Sequence, residues 1–335
     1  MSGRMCSVLR AAMAAAVVSI ATVAAGGQGG EPQKPQPRGI ASGSVCPEPN
    51  NPAVFHPCAL QKIKTFTAKR RTPDGKPDMN GIWNPSRGAM DIEEIVAQYG
   101  EYTPDGRSPR AKSLIVEPAN GRIPYQPWAA EARRKISSFS SPALGTVASP
   151  ADKAYAFVSP SAMCFQIGPQ RQAYSGPTHI VQQPNAIFFF KDRMHTHRVI
   201  PIGDRPHVGR AITLWNGDSR GHWEGETLVI DTTNLNGLTW FDHIGTFMSP
   251  DAHLIERLTF IDDKTLHYEE TVIDPQVFTQ PWKIALALMR SPAQGDDAEI
   301  SYDDSRENCD VGLPIQYNLG LKPYPGFSAI APTSK

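Results

Sequence analysis

The sequence predicts a mainly β protein: an antiparallel meander closing into a lipocalin-like barrel, with a two-sheet sandwich as second choice. Three observations predict it. From residue 178 onward, short β-branched and aromatic runs follow one another: THIVQQ, AIFFF, THRVIPI, AITLW, ETLVIDTT, IERLTFI and TLHYEETVI. Turn chemistry separates them, as Pro-Asn, Gly-Asp, Asn-Gly and Asp-Asp-Lys. Alternating strand–helix units and phosphate-cradling glycine motifs are absent, which argues against a parallel nucleotide-binding sheet.

Taken in order, residues 1–25 read as an export signal. Arg4 and Arg10 precede the apolar run AAMAAAVVSIATVAA, and Val23 and Ala25 fit small-residue cleavage. A periplasmic or secreted protein is therefore expected. No later run approaches the ~20 apolar residues of a spanning helix, so no integral membrane segment is expected after signal removal. Residues 26–71 are rich in Gly, Pro, Gln and Ser and read as a flexible arm. Residues 72–335 read as one domain, with a helical and irregular part (72–170) and a β part (171–335). TPDGKPDMNGIW, residues 72–83, is turn chemistry ending in Trp83 as a core anchor. DIEEIVAQYG predicts a helix from the spacing of Ile92, Ile95, Val96 and Tyr99, with Asp91 and Gly100 at its ends. A second helix is expected over 127–137. Residues 138–170 are Ser/Pro-rich and read mostly as loop.

Charge is balanced, 33 basic against 33 acidic residues, so nothing points to nucleic acid or an anionic membrane. A small-molecule ligand or substrate is the expected partner. Four cysteines follow the signal. Cys46 and Cys58 bracket a Pro/Asn-rich loop and are paired here, leaving Cys164 with Cys309. Two buried free thiols are the alternative for the second pair.

Several stretches together carry a resemblance: TPDGKPDMNGIW, GRIPYQPWA, HIVQQPNAIFFF, HRVIPIGDRPH, WNGDSRGHWEGETLVIDTTNLNGLTWFD, ERLTFIDDKTLHYEETVIDP and FTQPW. They run from residue 72 to 282. The chain resembles a family of exported bacterial proteins of unknown activity, which implies export and a shared fold but no chemistry. It departs from that family's Cys-His-Glu-Gly-Asn near the end, where Asp310 and Val311 stand in NCDVGLP.

Candidate chemistry centres on histidines and carboxylates. In HTHRVI, alternation puts His195, His197 and Val199 on one strand face and Thr196, Arg198 and Ile200 on the other. His195 and His197 could present two imidazoles to a divalent metal, but no familiar third-ligand spacing follows, so no cofactor is predicted. His207 sits in turn chemistry after Asp204, Arg205 and Pro206, where loops commonly carry binding groups. In LIERLTFI, Glu256 shares its face with Leu254, Leu258 and Phe260. A carboxyl group among hydrocarbon must pair, accept hydrogen bonds or stay protonated. That is the state a general acid at neutral pH requires, and the alternative is a structural pair with Arg198 or Arg257. Asp231 shares a face with Val229 and Thr233. Asp218 and Trp223 fall in GDSRGHWEGET, read as a Gly-rich hairpin loop; Asp242, His243 and His253 complete the polar supply.

The functional expectation is an exported enzyme of lyase, isomerase or hydrolase type. His195, His207 and Glu256 would perform acid–base chemistry in a barrel cavity. Arg198, Arg205, Asp218, Trp223, Asp231 and His253 would bind the ligand. The alternative is a non-catalytic periplasmic binder with the same cavity. A purely structural module would have its interior filled by side chains.

Overall fold

Two-residue alternation builds the fold. The computed structural model describes residues 44–88, 91–93, 112–139, 157–163, 165–191, 196–292 and 322–333. Its strands are β1 Gly81–Pro85, β2 Ile115–Glu117, β3 Phe157–Val158, β4 Thr178–Gln183, β5 Ala186–Lys191 and β6 His197–Pro201. They continue as β7 Asp218–Glu224, β8 Thr227–Thr233, β9 His253–Asp262, β10 Thr265–Ile273, β11 Trp282–Arg290 and β12 Lys322–Pro323. Nine strands run in the order β6-β5-β4-β1-β11-β10-β9-β8-β7 with antiparallel neighbours, and β2 adds to β11. The result is a nearly closed antiparallel barrel, as the sequence predicts.

The two ends of this sheet, β6 and β7, meet at a seam. Ile202 and Gly221 form one parallel bridge there, and the Gly203 amide donates to the Gly221 carbonyl at 2.9 Å. A side-chain carbon at Gly221 would fall 2.6 Å from Ile202 Cδ1 and 2.9 Å from Ile200 Cγ2. Glycine is what lets the two strands approach. The expected hairpin loop GDSRGHWEGET is therefore a correction: most of it is strand β7, and only Gly225 and Glu226 turn.

The inward faces carry the core. Leu254, Leu258 and Phe260 of β9 meet Leu266, Tyr268 and Val272 of β10 and Ile284, Leu286 and Leu288 of β11, all nearly inaccessible. Each fully buried Leu or Ile contributes roughly 1.5–3 kcal/mol. Trp83 is fully buried as expected, its indole N–H donating to the Met79 carbonyl at 2.8 Å.

The N-terminal arm is corrected from residue 44 onward. Helix α1, Pro52–Ile63, lies over the outer face of β9 and β11. Pro52 at the first helical position favours its start. Phe55 and Ala59 pack with Ile261, Ala287 and Met289, which overrides the cost of the internal Pro57. The Cys46–Cys58 disulfide is present and ties the chain ahead of α1 to the helix itself. Cys164 and Cys309 lie outside the described residues.

The second expected helix is α2, Pro127–Phe139, whose Ala129 and Ile136 are buried. In the first, Asp91, Ile92 and Glu93 form a bend closed by the Glu93 amide on Asp91 Oδ1 (2.8 Å); residues 94–100 lie outside the described residues. AITLW is loop, not strand. The Asn234 side-chain amide donates to the carbonyls of Val208, Gly209 and Ile212, and the Leu214 amide donates to the Asn234 carbonyl at 2.8 Å, so the segment is tied to the turn after β8. Among the described residues no helix is long and apolar enough to cross a membrane.

Candidate functional site

Cross-strand register places Ile230, Glu256, Glu270 and Ile284 in one row on the inner wall. Glu256 is buried, as its apolar register predicts, and Glu270 directly opposite is buried as well. Two carboxylates facing each other in hydrocarbon repel strongly. Arg198 of β6 settles which one keeps its charge. Its Nη1 lies 3.1 Å from Glu256 Oε1, and its Nη2 donates to Glu256 Oε2. The remaining guanidinium donors reach Ser219 Oγ and Thr232 Oγ1, each at 2.8 Å.

Tyr268 stands between the two acids, its hydroxyl 2.9 Å from Glu256 Oε1 and 2.9 Å from Glu270 Oε2. A phenol owns one proton and can donate to only one of them. The consistent arrangement has Tyr268 donating to ionised Glu256 and accepting from protonated Glu270. Burial, reinforced by the charge on Glu256, drives the Glu270 carboxyl well above its ordinary range. Glu270 Oε1 has no hydrogen-bond partner among the described residues. Sequence reasoning missed Glu270, although its register with Tyr268 and Val272 in TLHYEETVI carries the same signal as Glu256.

A second constellation occupies the outer wall. Asp231 on β8 bonds His207 Nε2 through Oδ1 (2.8 Å) and His253 Nε2 through Oδ2 (2.7 Å). His207 Nδ1 meets Asp218 Oδ2 at 3.1 Å. Asp218 is fixed in turn by the Val208 amide (2.9 Å) and by Arg220 (2.7 Å). Four of the sequence candidates, His207, Asp218, Asp231 and His253, thus converge in one half-buried chain. Burial works against the charge on Asp231, but the hydrogen bonds and charges of His253 and His207 prevail and hold its carboxyl below the ordinary range. His253 Nδ1 makes no hydrogen bond among the described residues.

His207 and Glu256 do not meet. Asp231 and Ile255 face outward while Ile230 and Glu256 face inward, so the sheet itself separates them. His195 lies outside the described residues. His197 is exposed on the outer face, Arg205 is exposed, and Trp223 is half-buried under Lys76.

A third polar cluster gathers around Asp242, Arg171 and Arg133. Asp242 accepts the Thr246 hydroxyl at 2.6 Å, and Arg171 contacts His243 Nε2 at 2.6 Å. Arg133 of α2 approaches Asp91 (3.6 Å) and Glu93 (3.4 Å). Burial and then the Asp242 charge push the Asp91 carboxyl up to about 8. For a metal, the described residues that bring three suitable ligand atoms together are His56, His267 and Glu269, on the opposite face of β10 from Glu270.

Comparison with protein-family models, with curated proteins and with solved structures found no match.

Proposed function

We propose that this protein is an exported enzyme that moves protons on a small molecule at the outer wall, with His253 as the transferring group. One observation carries the reading. Asp231 orients His253 through one ring nitrogen and leaves the other without a partner among the described residues. An imidazole backed by a carboxylate is the usual arrangement for a general base near neutral pH. His207 and Asp218 serve here as positioning residues, because they hold Asp231 rather than a reacting atom. Glu256 becomes the counter-ion of Arg198 rather than a catalyst. Export is supported by the N-terminal apolar run behind Arg4 and Arg10 and by the Cys46–Cys58 disulfide.

The test is untargeted. Purified protein is incubated with a small-molecule extract of the source culture, and the consumed and formed compounds are recorded by mass spectrometry. Conversion by the wild type that is lost in His253→Gln supports the reading. Absence of any His253-dependent change overturns it.

A second reading has a specific observation behind it. Glu270 Oε1 is a buried acceptor with no hydrogen-bond partner among the described residues, which a donor group on a bound molecule would satisfy. A compound that stays with the protein in native mass spectrometry, unaltered and lost in Glu270→Leu, would favour a non-catalytic binder.

A further inference from the structure

We propose that His56, His267 and Glu269 bind one divalent cation of the zinc class, pinning helix α1 to strand β10. The strand supplies two ligands by simple alternation, since His267 and Glu269 are two residues apart and share the outward face. Beside them on β11 the register places Ala287 and Ala285. These small side chains leave room for α1 to settle against the sheet. The helix brings His56, whose Nδ1 lies 2.9 Å from His267 Nε2 and whose Nε2 lies 4.0 Å from Glu269 Oε2.

One ligand atom from each of the three residues lies within 4.8 Å of the other two, and all three residues are buried. Ligands around tetrahedral zinc stand about 3.4 Å apart, so a side-chain adjustment of about 1 Å closes the shell. Two imidazole nitrogens and one carboxylate oxygen suit zinc-type ions better than magnesium or calcium, which prefer oxygen. A water would complete the fourth position. Lys283 lies 3.6 Å from Glu269 Oε1 and 3.3 Å from Glu117 Oε1. It engages the oxygen turned away from His56 and shares its charge with a second acid. A lone His56–His267 hydrogen bond would account for two of the residues. It leaves unexplained why a buried carboxylate oxygen is aimed at His56.

The site is independent of the outer-wall relay, and the experiment separates them. Protein made without a histidine tag is stripped with chelator and dialysed against Zn²⁺ and, in parallel, Co²⁺. Bound metal is counted by elemental analysis, cobalt coordination is read from visible absorption, and thermal unfolding is followed with and without Zn²⁺. The expected result is one equivalent of metal, a cobalt spectrum of low coordination number and a higher unfolding temperature with zinc. His56→Ala and the nearly isosteric Glu269→Gln should each weaken binding at least about tenfold while keeping the metal-free circular dichroism. Asp231→Asn should leave binding intact. The proposal is overturned if the wild type takes up no stoichiometric metal. It is equally overturned if His56→Ala and Glu269→Gln bind as well as the wild type, or if Asp231→Asn alone abolishes uptake.

Discussion

Arg198 grips both carboxylate oxygens of Glu256 inside the barrel, a pair joining β6 to β9 across the seam. Both side chains are almost inaccessible, so neither can turn to water if the other is removed. Arg198→Met should therefore cost about 3–5 kcal/mol, the penalty for a stranded buried charge. The double variant Arg198→Met, Glu256→Leu should recover most of it. Urea unfolding of the three proteins measures both numbers; an unchanged single variant would mean the pair contributes nothing.

Glu270 gives a prediction in pH. Its folded carboxyl titrates well above the 4.5 of an unperturbed glutamate, so the folded state holds a proton that the unfolded chain gives up. Stability from this group is complete below about 4.5 and falls as pH rises toward the folded value, by at most about 1.4 kcal/mol per pH unit. Glu270→Gln mimics the protonated acid. Its unfolding free energy should exceed that of the wild type at pH 7, with the difference shrinking toward pH 4. Parallel curves across that range would refute the assignment of the proton to Glu270.

Gly221 is tested by a single methyl. Gly221→Ala puts a carbon 2.6 Å from Ile202 Cδ1 and 2.9 Å from Ile200 Cγ2, closer than contact allows, so these two side chains must shift at the seam. A loss of about 1–3 kcal/mol is expected in chemical denaturation. Adding Ile202→Ala should restore part of it, because the nearest clashing atom is removed.

The disulfide should stabilise by closing a short loop. Cys46 and Cys58 are 12 residues apart, and a loop of that size is worth about 3 kcal/mol. Cys46→Ser with Cys58→Ser should lower the unfolding temperature by several degrees. Amide exchange should rise first in α1, since the helix is anchored by the bridge and by Phe55 and Ala59.

How far the sequence could be read depends on the range of the forces involved. Alternation is local, so LIERLTFI correctly sends Glu256 inward with Leu254 and Leu258. The same alternation sends the adjacent Arg257 outward, but that Arg198 is the partner is a matter of register between distant strands, which no local pattern records. The structure places Arg257 on the outer face with Glu224 (2.7 Å) and Arg198 inside. The relay was legible as four separate polar residues, not as a chain. Asp231 reaches His207 across 24 positions and His253 across 22, by way of a loop whose path no periodicity records. Helix α1 was hidden by its two prolines and by Asn50 and Asn51 ahead of it, because its stability comes from what Phe55 and Ala59 touch. The rule that found His195 and His197 applies equally to His267 and Glu269, and only the position of α1 shows where it matters.

The Ile202–Gly221 bridge has a mechanical meaning. Among the described residues β6 and β7 share this one bridge, helped by Arg198 on Ser219 and by Asn216 on the His197 carbonyl, whereas the neighbouring strands are joined by longer ladders. Slow breathing of the fold is expected to start by unzipping that join, so the backbone amides of β6 and β7 should exchange with deuterium before those of β9, β10 and β11.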